Sequence, residues 1–291
     1  MIPNVLSIAG SDPSGGAGIQ ADLKTFSALG AYGMSVITAL TAQNTQGVRA
    51  IVVLEPAFVA AQIDAIFDDV RVDAVKIGMV ATASVARAIA DRLRHHAARN
   101  VVLDPVMVAK SGDRLLAEDA VAAVRDLLAP LARVVTPNLP EAAVLMSSGA
   151  ALLSAGLSAG ALATTEPATL AEMRQAVRTL HRIGSQWVLL KGGHLEGDAS
   201  TDLLFDGETI TEFAGPRIDT RNTHGTGCTL SAAIAALLPR YDMVEAVRRA
   251  KAYLTGAIAA SGRLTVGGGH GPVHHFHALW PSDQAAEGAA G

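Results

Sequence analysis

The chain has 291 residues, half of them hydrophobic, and its 23 Lys and Arg against 27 Asp and Glu leave a net charge of −4. That balance offers no footing for a polyanion, so nucleic acid is not an expected partner, and a single cysteine excludes an intrachain disulfide and fits a reducing compartment. Met1-Ile2-Pro3-Asn4 lacks the basic residues and apolar run of a signal peptide, so a cytoplasmic location is expected.

Apolar runs of strand length alternate along the chain with amphipathic runs of helix length. A strand is expected at residues 5–9, leading into a glycine-rich loop at 10–18 and a helix. Further strands are expected at 32–39, 74–77, 101–103, 134–136 and 187–190. The clearest helices lie at 84–94, with Val85, Ile89 and Leu93 on one stripe, and at 170–183. The second opens on a Thr169 and Glu172 capping box, turns Leu170, Met173, Val177 and Leu180 inward, and stops at Gly184. Near-continuous apolar strands interleaved with helices imply a mostly parallel sheet covered on both faces. Residues 203–210 read as a hairpin turning at Asp206-Gly207, an antiparallel edge on that sheet.

No charge occurs between Glu141 and Glu166, and Gly156 and Gly160 have the spacing of membrane-helix dimers. The stretch is diluted with Ser, Gly and Ala and lacks basic flanks, so no membrane partner is expected. A helix end near Met146, followed by a flexible Ala/Ser/Gly-rich surface segment at 147–168, is the expectation, with a disordered tail at 282–291. Nothing marks a linker, and residues 1–291 are expected to form one domain.

In such sheets ligands bind beyond the carboxyl ends of the strands. Polar and glycine-rich residues recur there: the 10–18 loop, Gln43-Asn44, Asp104-Pro105, Asn138-Leu139-Pro140-Glu141 and Lys191-Gly192-Gly193-His194. The 10–18 loop lacks the Lys-Ser/Thr ending of a Walker P-loop and the spacing of a dinucleotide fingerprint, which argues against a nicotinamide oxidoreductase. The most informative stretch is Asn222-Thr223-His224-Gly225-Thr226-Gly227-Cys228-Thr229, which runs straight into an apolar helical pattern at 230–238. Unpaired N–H groups at a helix start converge on an anion, so this turn reads as a phosphate cradle. Cys228 stands inside it, and the same helix start is expected to favour its thiolate; a buried small residue on a turn is the plainer alternative. Asn138, Pro140 and Glu141 equally suit an ordinary helix start, and Asp12 an Asx-turn. His274, His275 and His277 have the composition of a metal cluster, but without nearby zinc partners a structural C-terminal segment is expected.

The runs GSDPSGGAGIQADLKTFSALGAYG, ALTAQNTQGV, VKIGM, DPVMVAKSG, TPNLPEA, KGGH, NTHGTGCTLSAA and GPVHHFH occur in that order. With them the chain resembles the hydroxymethylpyrimidine and phosphomethylpyrimidine kinases of thiamine biosynthesis, in the ribokinase-like superfamily. The resemblance implies a three-layer α/β sandwich without a separate lid domain, a homodimer, and use of ATP and Mg2+. It also implies phosphorylation of 4-amino-5-hydroxymethyl-2-methylpyrimidine to its monophosphate and then to the diphosphate. By the same resemblance Gly225, Thr226, Gly227 and Cys228 form the anion hole, with Cys228 where most relatives carry an aspartate base. Lys191 is implied as a phosphate contact, Asp104, Asn138 and Glu141 as the magnesium-associated residues, and Gly10, Ala17, Met79 and Val106 as ring contacts. Asp12 either orients the hydroxymethyl group or only closes its turn. The Gln43 carboxamide offers an acceptor and donors in one plane, complementing the amino group and ring nitrogen of an aminopyrimidine. The departures from the family pattern are the 147–168 stretch and the tail. A pyridoxal-type or pyridoxine-type vitamin kinase is the close rival reading, and a non-catalytic pyrimidine sensor the more distant one.

Overall fold

The structure, a computed structural model, describes residues 1–107, 118–147, 166–193, 195 and 199–281. Ten strands are assigned: β1 (Asn4–Ala9), β2 (Tyr32–Ile37), β3 (Ala39–Asn44), β4 (Gly47–Val53), β5 (Ala74–Ile77), β6 (Val101–Leu103), β7 (Val134–Val135), β8 (Trp187–Leu190), β9 (Ala199–Phe205) and β10 (Ile210–Pro216). The α-helices are α1 (Gly18–Ala28), α2 (Pro56–Phe67), α3 (Ala83–His95), α4 (Glu118–Ala123), α5 (Leu139–Ser147), α6 (Leu170–His181), α7 (Thr226–Leu237) and α8 (Met243–Ala259). Eight strands form one sheet in the order β10-β9-β8-β7-β6-β5-β1-β2. β1, β2, β5, β6, β7 and β8 pair in parallel, while β9 and β10 add an antiparallel edge.

Side chains alternate across the strands, so the sheet buries both faces. Ile8, Ile77, Leu103 and Val188 face a core completed by α2 to α6, including Ile63, Ile89, Leu139 and Met173. Val5, Val102, Val134 and Leu189 face Phe26 of α1, the apolar side of α7 and Val247 of α8. At roughly 1.5–3 kcal/mol for each fully buried aliphatic side chain, these two layers dominate the folding energy. The expected sandwich with an antiparallel edge is therefore present.

Several elements fall close to expectation, and their caps explain why. Thr82 accepts from the Val85 N–H to open α3, and the Thr169 and Glu172 capping box opens α6. Gly184 takes a left-handed φ of 98° just beyond α6. The hairpin joins β9 and β10 through four residues, with Asp206 Oδ1 accepting from the Glu208 and Thr209 N–H groups. Most of the 147–168 segment, together with the 282–291 tail, lies outside the described residues.

Two readings change. The expected strand at 32–39 ends at Ile37, where the next residue, Thr38, turns its hydroxyl to Met79 O. Residues 39–53 then form a separate antiparallel pair, β3 with β4, so Gln43 lies on a strand rather than in a loop. The register shifts by one residue between Ala42 and Gln43, which leaves Arg49 of β4 unpaired as a bulge opposite them.

Candidate active site

A cavity of ≈ 430 Å³ opens where β1, β5, β6, β7 and β8 end and α7 begins. The catalytic, substrate and metal residues expected from the sequence all border it. Gly10, Ala17, Gln43, Met79 and Val106 lie on one part of the wall. Asp104, Asn138, Glu141 and Lys191 lie on another, and the turn at 225–228 closes a third.

The turn is built on Gly225, which caps α7 with φ 78° and ψ 10°. A Cβ there would stand 1.8 Å from Gly16 O, so the left-handed conformation and the close approach both require glycine. The first-turn N–H groups of Gly227 and Cys228 have no helical acceptor behind them and remain for an anion. Gly227 also has no side chain to displace its neighbours: a Cβ there would lie 3.2 Å from Lys191 Nζ and 3.7 Å from Asp104 Oδ2.

Lys191 Nζ is 3.1 Å from Asp104 Oδ1 and 3.9 Å from Glu141 Oε2. Burial disfavours its charge, but the two carboxylates outweigh burial and raise its pKa. Burial dominates at Glu141 and pushes its carboxyl up to about 7 despite the facing lysine. Asp104 also receives the Ser231 hydroxyl of α7 at 3.2 Å, which ties the acidic corner to the anion turn.

One expectation needs correction, and two residues with open alternatives carry local hydrogen bonds. Cys228 is partly buried, and burial pushes its thiol up to about 11 instead of letting the helix start lower it. Asp12 accepts from the backbone N–H groups of Ser14, Gly16 and Ala17, from the Ser14 hydroxyl, and pairs with His224 Nε2 at 2.7 Å. Its oxygens are thus taken up in clasping the 10–18 loop, which leaves little for a substrate hydroxyl. Asn138 Oδ1 accepts the Glu141 N–H at 2.8 Å while Glu141 Oε2 accepts the Asn138 N–H at 2.8 Å, so this pair is a working helix cap.

Among the described residues no group of three or more His, Cys, Asp or Glu could hold a metal ion. Asp104 and Glu141 supply hard carboxylate oxygens on either side of Lys191, a donor set that suits a magnesium ion keeping waters and phosphate oxygens as its other ligands. The C-terminal histidines go elsewhere. Buried His275 pairs with the Thr229 hydroxyl of α7 at 3.1 Å, His274 stands edge-on to Trp280, and His277 tilts against Tyr253.

Residues 12–274 match the family described as phosphomethylpyrimidine kinase. The chain belongs to this family. It is 55% identical to the hydroxymethylpyrimidine/phosphomethylpyrimidine kinase of Salmonella typhimurium, over 95% of this chain and 98% of that one. It is 54% identical to the Escherichia coli enzyme of the same description over the same shares. Among solved structures it is similar to a Bacillus subtilis pyridoxal kinase in complex with ADP, with TM-score 0.82 and 36% identity over 96% of this chain and 99% of that one. It is also similar to phosphomethylpyrimidine kinase from Clostridium difficile, with TM-score 0.73 and 40% identity over 88% and 99%.

Three further features of the site have only weak local signals in the sequence. His224 links the anion turn to Asp12, and its only local signal is a histidine next to the capping glycine. Lys76 and Asp22 form a fully buried ion pair at 2.8 Å, signalled by a lysine inside an apolar strand. A glycine-rich strap at 267–271 ties the turn between β3 and β4 to the anion turn: His270 N–H donates to Thr45 O, Gly269 N–H to Thr45 Oγ1, and His224 N–H to Gly271 O.

Proposed function

We propose that this chain transfers the γ-phosphoryl group of ATP to the hydroxymethyl oxygen of 4-amino-5-hydroxymethyl-2-methylpyrimidine, and then phosphorylates that monophosphate to the diphosphate, as a step of thiamine biosynthesis. The observation that carries this reading is one cavity that joins an amide-lined helix start and Lys191 to a wall bearing Gln43 and Met79.

Phosphoryl transfer needs positioning, neutralisation of charge and an acceptor for the alcohol proton. In this reading the N–H groups of Gly227 and Cys228 hold the transferring phosphoryl oxygens, and Lys191 adds a point charge beside them. The Gln43 carboxamide pairs with the edge of the aminopyrimidine, while Met79 lies against the ring and Gly10 leaves room for it. Cys228 receives the alcohol proton. Magnesium, when bound, draws charge from the phosphate oxygens; Asp104 and Glu141 would hold it through waters, with Asn138 keeping its cap.

Leu40 and Val52 face each other across β3 and β4 and are exposed, as are Val53 and Phe58 nearby, which supports the expected homodimer. An ATP-dependent reaction and one unpaired cysteine fit the cytoplasm. No helix among the described residues is long and apolar enough to cross a membrane.

The test is an assay of the purified protein with ATP and each pyrimidine, with phosphorus detection of mono- and diphosphate products. Both products are expected in sequence. Pyridoxal is the competitor to include, given the likeness to a pyridoxal kinase. Turnover of pyridoxal without turnover of the pyrimidine would overturn the reading.

A further inference from the structure

A second charged cluster lies beneath the cavity and has no part in the reaction described above. Lys76 stands in β5 among Ala74, Val75 and Ile77, with its side chain fully buried. Its ammonium lies 2.8 and 3.0 Å from the two carboxylate oxygens of Asp22 on α1, and the Ser7 hydroxyl of β1 donates to the same carboxylate at 2.5 Å. A buried ion pair is a weak source of stability, because well-packed apolar residues serve as well or better. Its location is the informative part. Lys76 and Cys228 border the same cavity. Helix α1 connects them: Gly18 at its start lines the cavity beside both residues, and Asp22, four residues on, lies one turn along the same face.

We propose that Lys76, clamped by Asp22 and Ser7, is a positioning residue that supplies the countercharge for the Cys228 sulfur when that sulfur is an anion. The inference rests on the reading of Cys228 as the proton acceptor. In that step the alcohol proton passes to the sulfur anion, the alcohol oxygen bonds to the γ-phosphorus, and the bond from phosphorus to the departing ADP oxygen breaks. The sulfur ends as a neutral thiol and ADP carries away the electron pair. Four charged side chains bear on the sulfur. Lys76 from β5 and Lys191 beyond β8 favour the anion, while Asp22 from α1 and Asp104 beyond β6 oppose it.

Cys228 is the only cysteine in the chain, so whole-protein mass after iodoacetamide treatment reports this sulfur alone. Alkylation follows the thiolate fraction, so rates across about pH 7 to 10 trace its titration. Lys76→Met is expected to slow alkylation at pH 8 by about tenfold or more, the effect of one pKa unit. Asp22→Asn takes away the carboxylate that keeps the buried ammonium charged, and is expected to slow it as well. A general loosening of the fold would speed both, so slower alkylation in the folded variants identifies the electrostatic role. If Lys76→Met fails to fold, Asp22→Asn carries the test, with a retained cooperative melt. Unchanged profiles in the folded variants, or faster alkylation in either, overturn the proposal. Phosphorylation of the alcohol by Cys228→Ala is measured alongside: a full rate there removes the proton-acceptor reading, while the alkylation shifts still decide the placement of Lys76.

Discussion

The imidazole of His224 and the carboxylate of Asp12, 212 residues apart in sequence, meet at 2.7 Å and lock together two loops that border the cavity. Asp12 gathers the N–H groups of its own loop, and His224 immediately precedes the glycine that opens the anion turn. The pair therefore sets the position of the glycine-rich loop relative to the phosphoryl site. Asp12→Ala leaves several buried donors without an acceptor and is expected to cost about 3 kcal/mol in urea unfolding. Burial alone would push the Asp12 carboxyl up, but bonds from His224 and Ser14 outweigh it and hold it below the usual carboxylate range. A lowered carboxylate stabilises above its unfolded pKa of 3.8 and loses that stabilisation as pH falls through the folded value. The stability gap between wild type and Asp12→Asn should thus be full at neutral pH and close below about pH 4.

Cys228 separates the two phosphorylations. The first acceptor is an alcohol that must lose a proton, whereas the second is a phosphate with a second pKa of about 6, already mostly ionised at neutral pH. Cys228→Ala is expected to slow the first step by about 10²–10⁴, the usual contribution of a general base, and the second step much less. With the thiol pushed up to about 11, the thiolate fraction keeps growing through the alkaline range, so the first step should accelerate beyond pH 8 while the second stays level. Separate steady-state assays with the two acceptors check both statements. Equal losses would point to a phosphate-positioning role for this residue.

Legibility followed the range of the signal. Caps and apolar periodicity are local, so the Thr169 and Glu172 box and the apolar strands at 74–77 and 101–103 could be read directly. The anion turn was legible because Gly225 and Gly227 answer a local demand of the helix start. Roles set by distant partners were not. Whether Asp12 faces substrate or clasps its loop depends on His224, and the thiol of Cys228 depends on how deeply α1, β5 and α7 bury it. The β3 and β4 pair was missed because Leu40 and Val52 are exposed opposite each other, which blurs the alternation that marks a half-buried strand.

Lys191 supplies positive charge to a corner that otherwise holds two carboxylates. Lys191→Met removes the point charge beside Gly227 and leaves Asp104 and Glu141 facing each other without a cation. The expected result is a loss of roughly 10²-fold or more in kcat/KM for ATP, comparable to deleting one preorganised charge-stabilising group. A melting temperature within a few degrees of wild type would place the loss in catalysis, and unchanged ATP kinetics would remove Lys191 from the phosphate site.

The strap at 267–271 offers a test of how the ring pocket is held. A Cβ on Gly269 would stand 2.0 Å from the Thr45 carbonyl oxygen, a backbone atom that cannot swing aside like a side-chain tip. Gly269→Ala is therefore expected to push the strap and the turn at Thr45 apart, and to disturb Gln43 two residues before that turn residue. KM for the pyrimidine is expected to rise by about tenfold, the equivalent of one weakened hydrogen bond at about 1.4 kcal/mol, with a smaller change in KM for ATP. Steady-state kinetics with each substrate varied in turn measure the split, and equal changes in both would mean that the strap does not act through Gln43.

His275 gives the C-terminal segment a pH-dependent hold on α7. It is buried against the Thr229 hydroxyl, and burial, with Lys24 and His274 adding to it, pushes its pKa down to about 3. The unfolded chain takes up this proton near 6.5, so the folded state, which resists protonation, loses stability as pH falls below that value. The slope from this group is about 1.4 kcal/mol per pH unit between 6.5 and its folded pKa. His275→Gln keeps a polar group near Thr229 and removes the titration. Urea midpoints from neutral pH down to about pH 5 should fall less steeply for the variant than for wild type, and parallel curves would show that His275 charges without opening the segment.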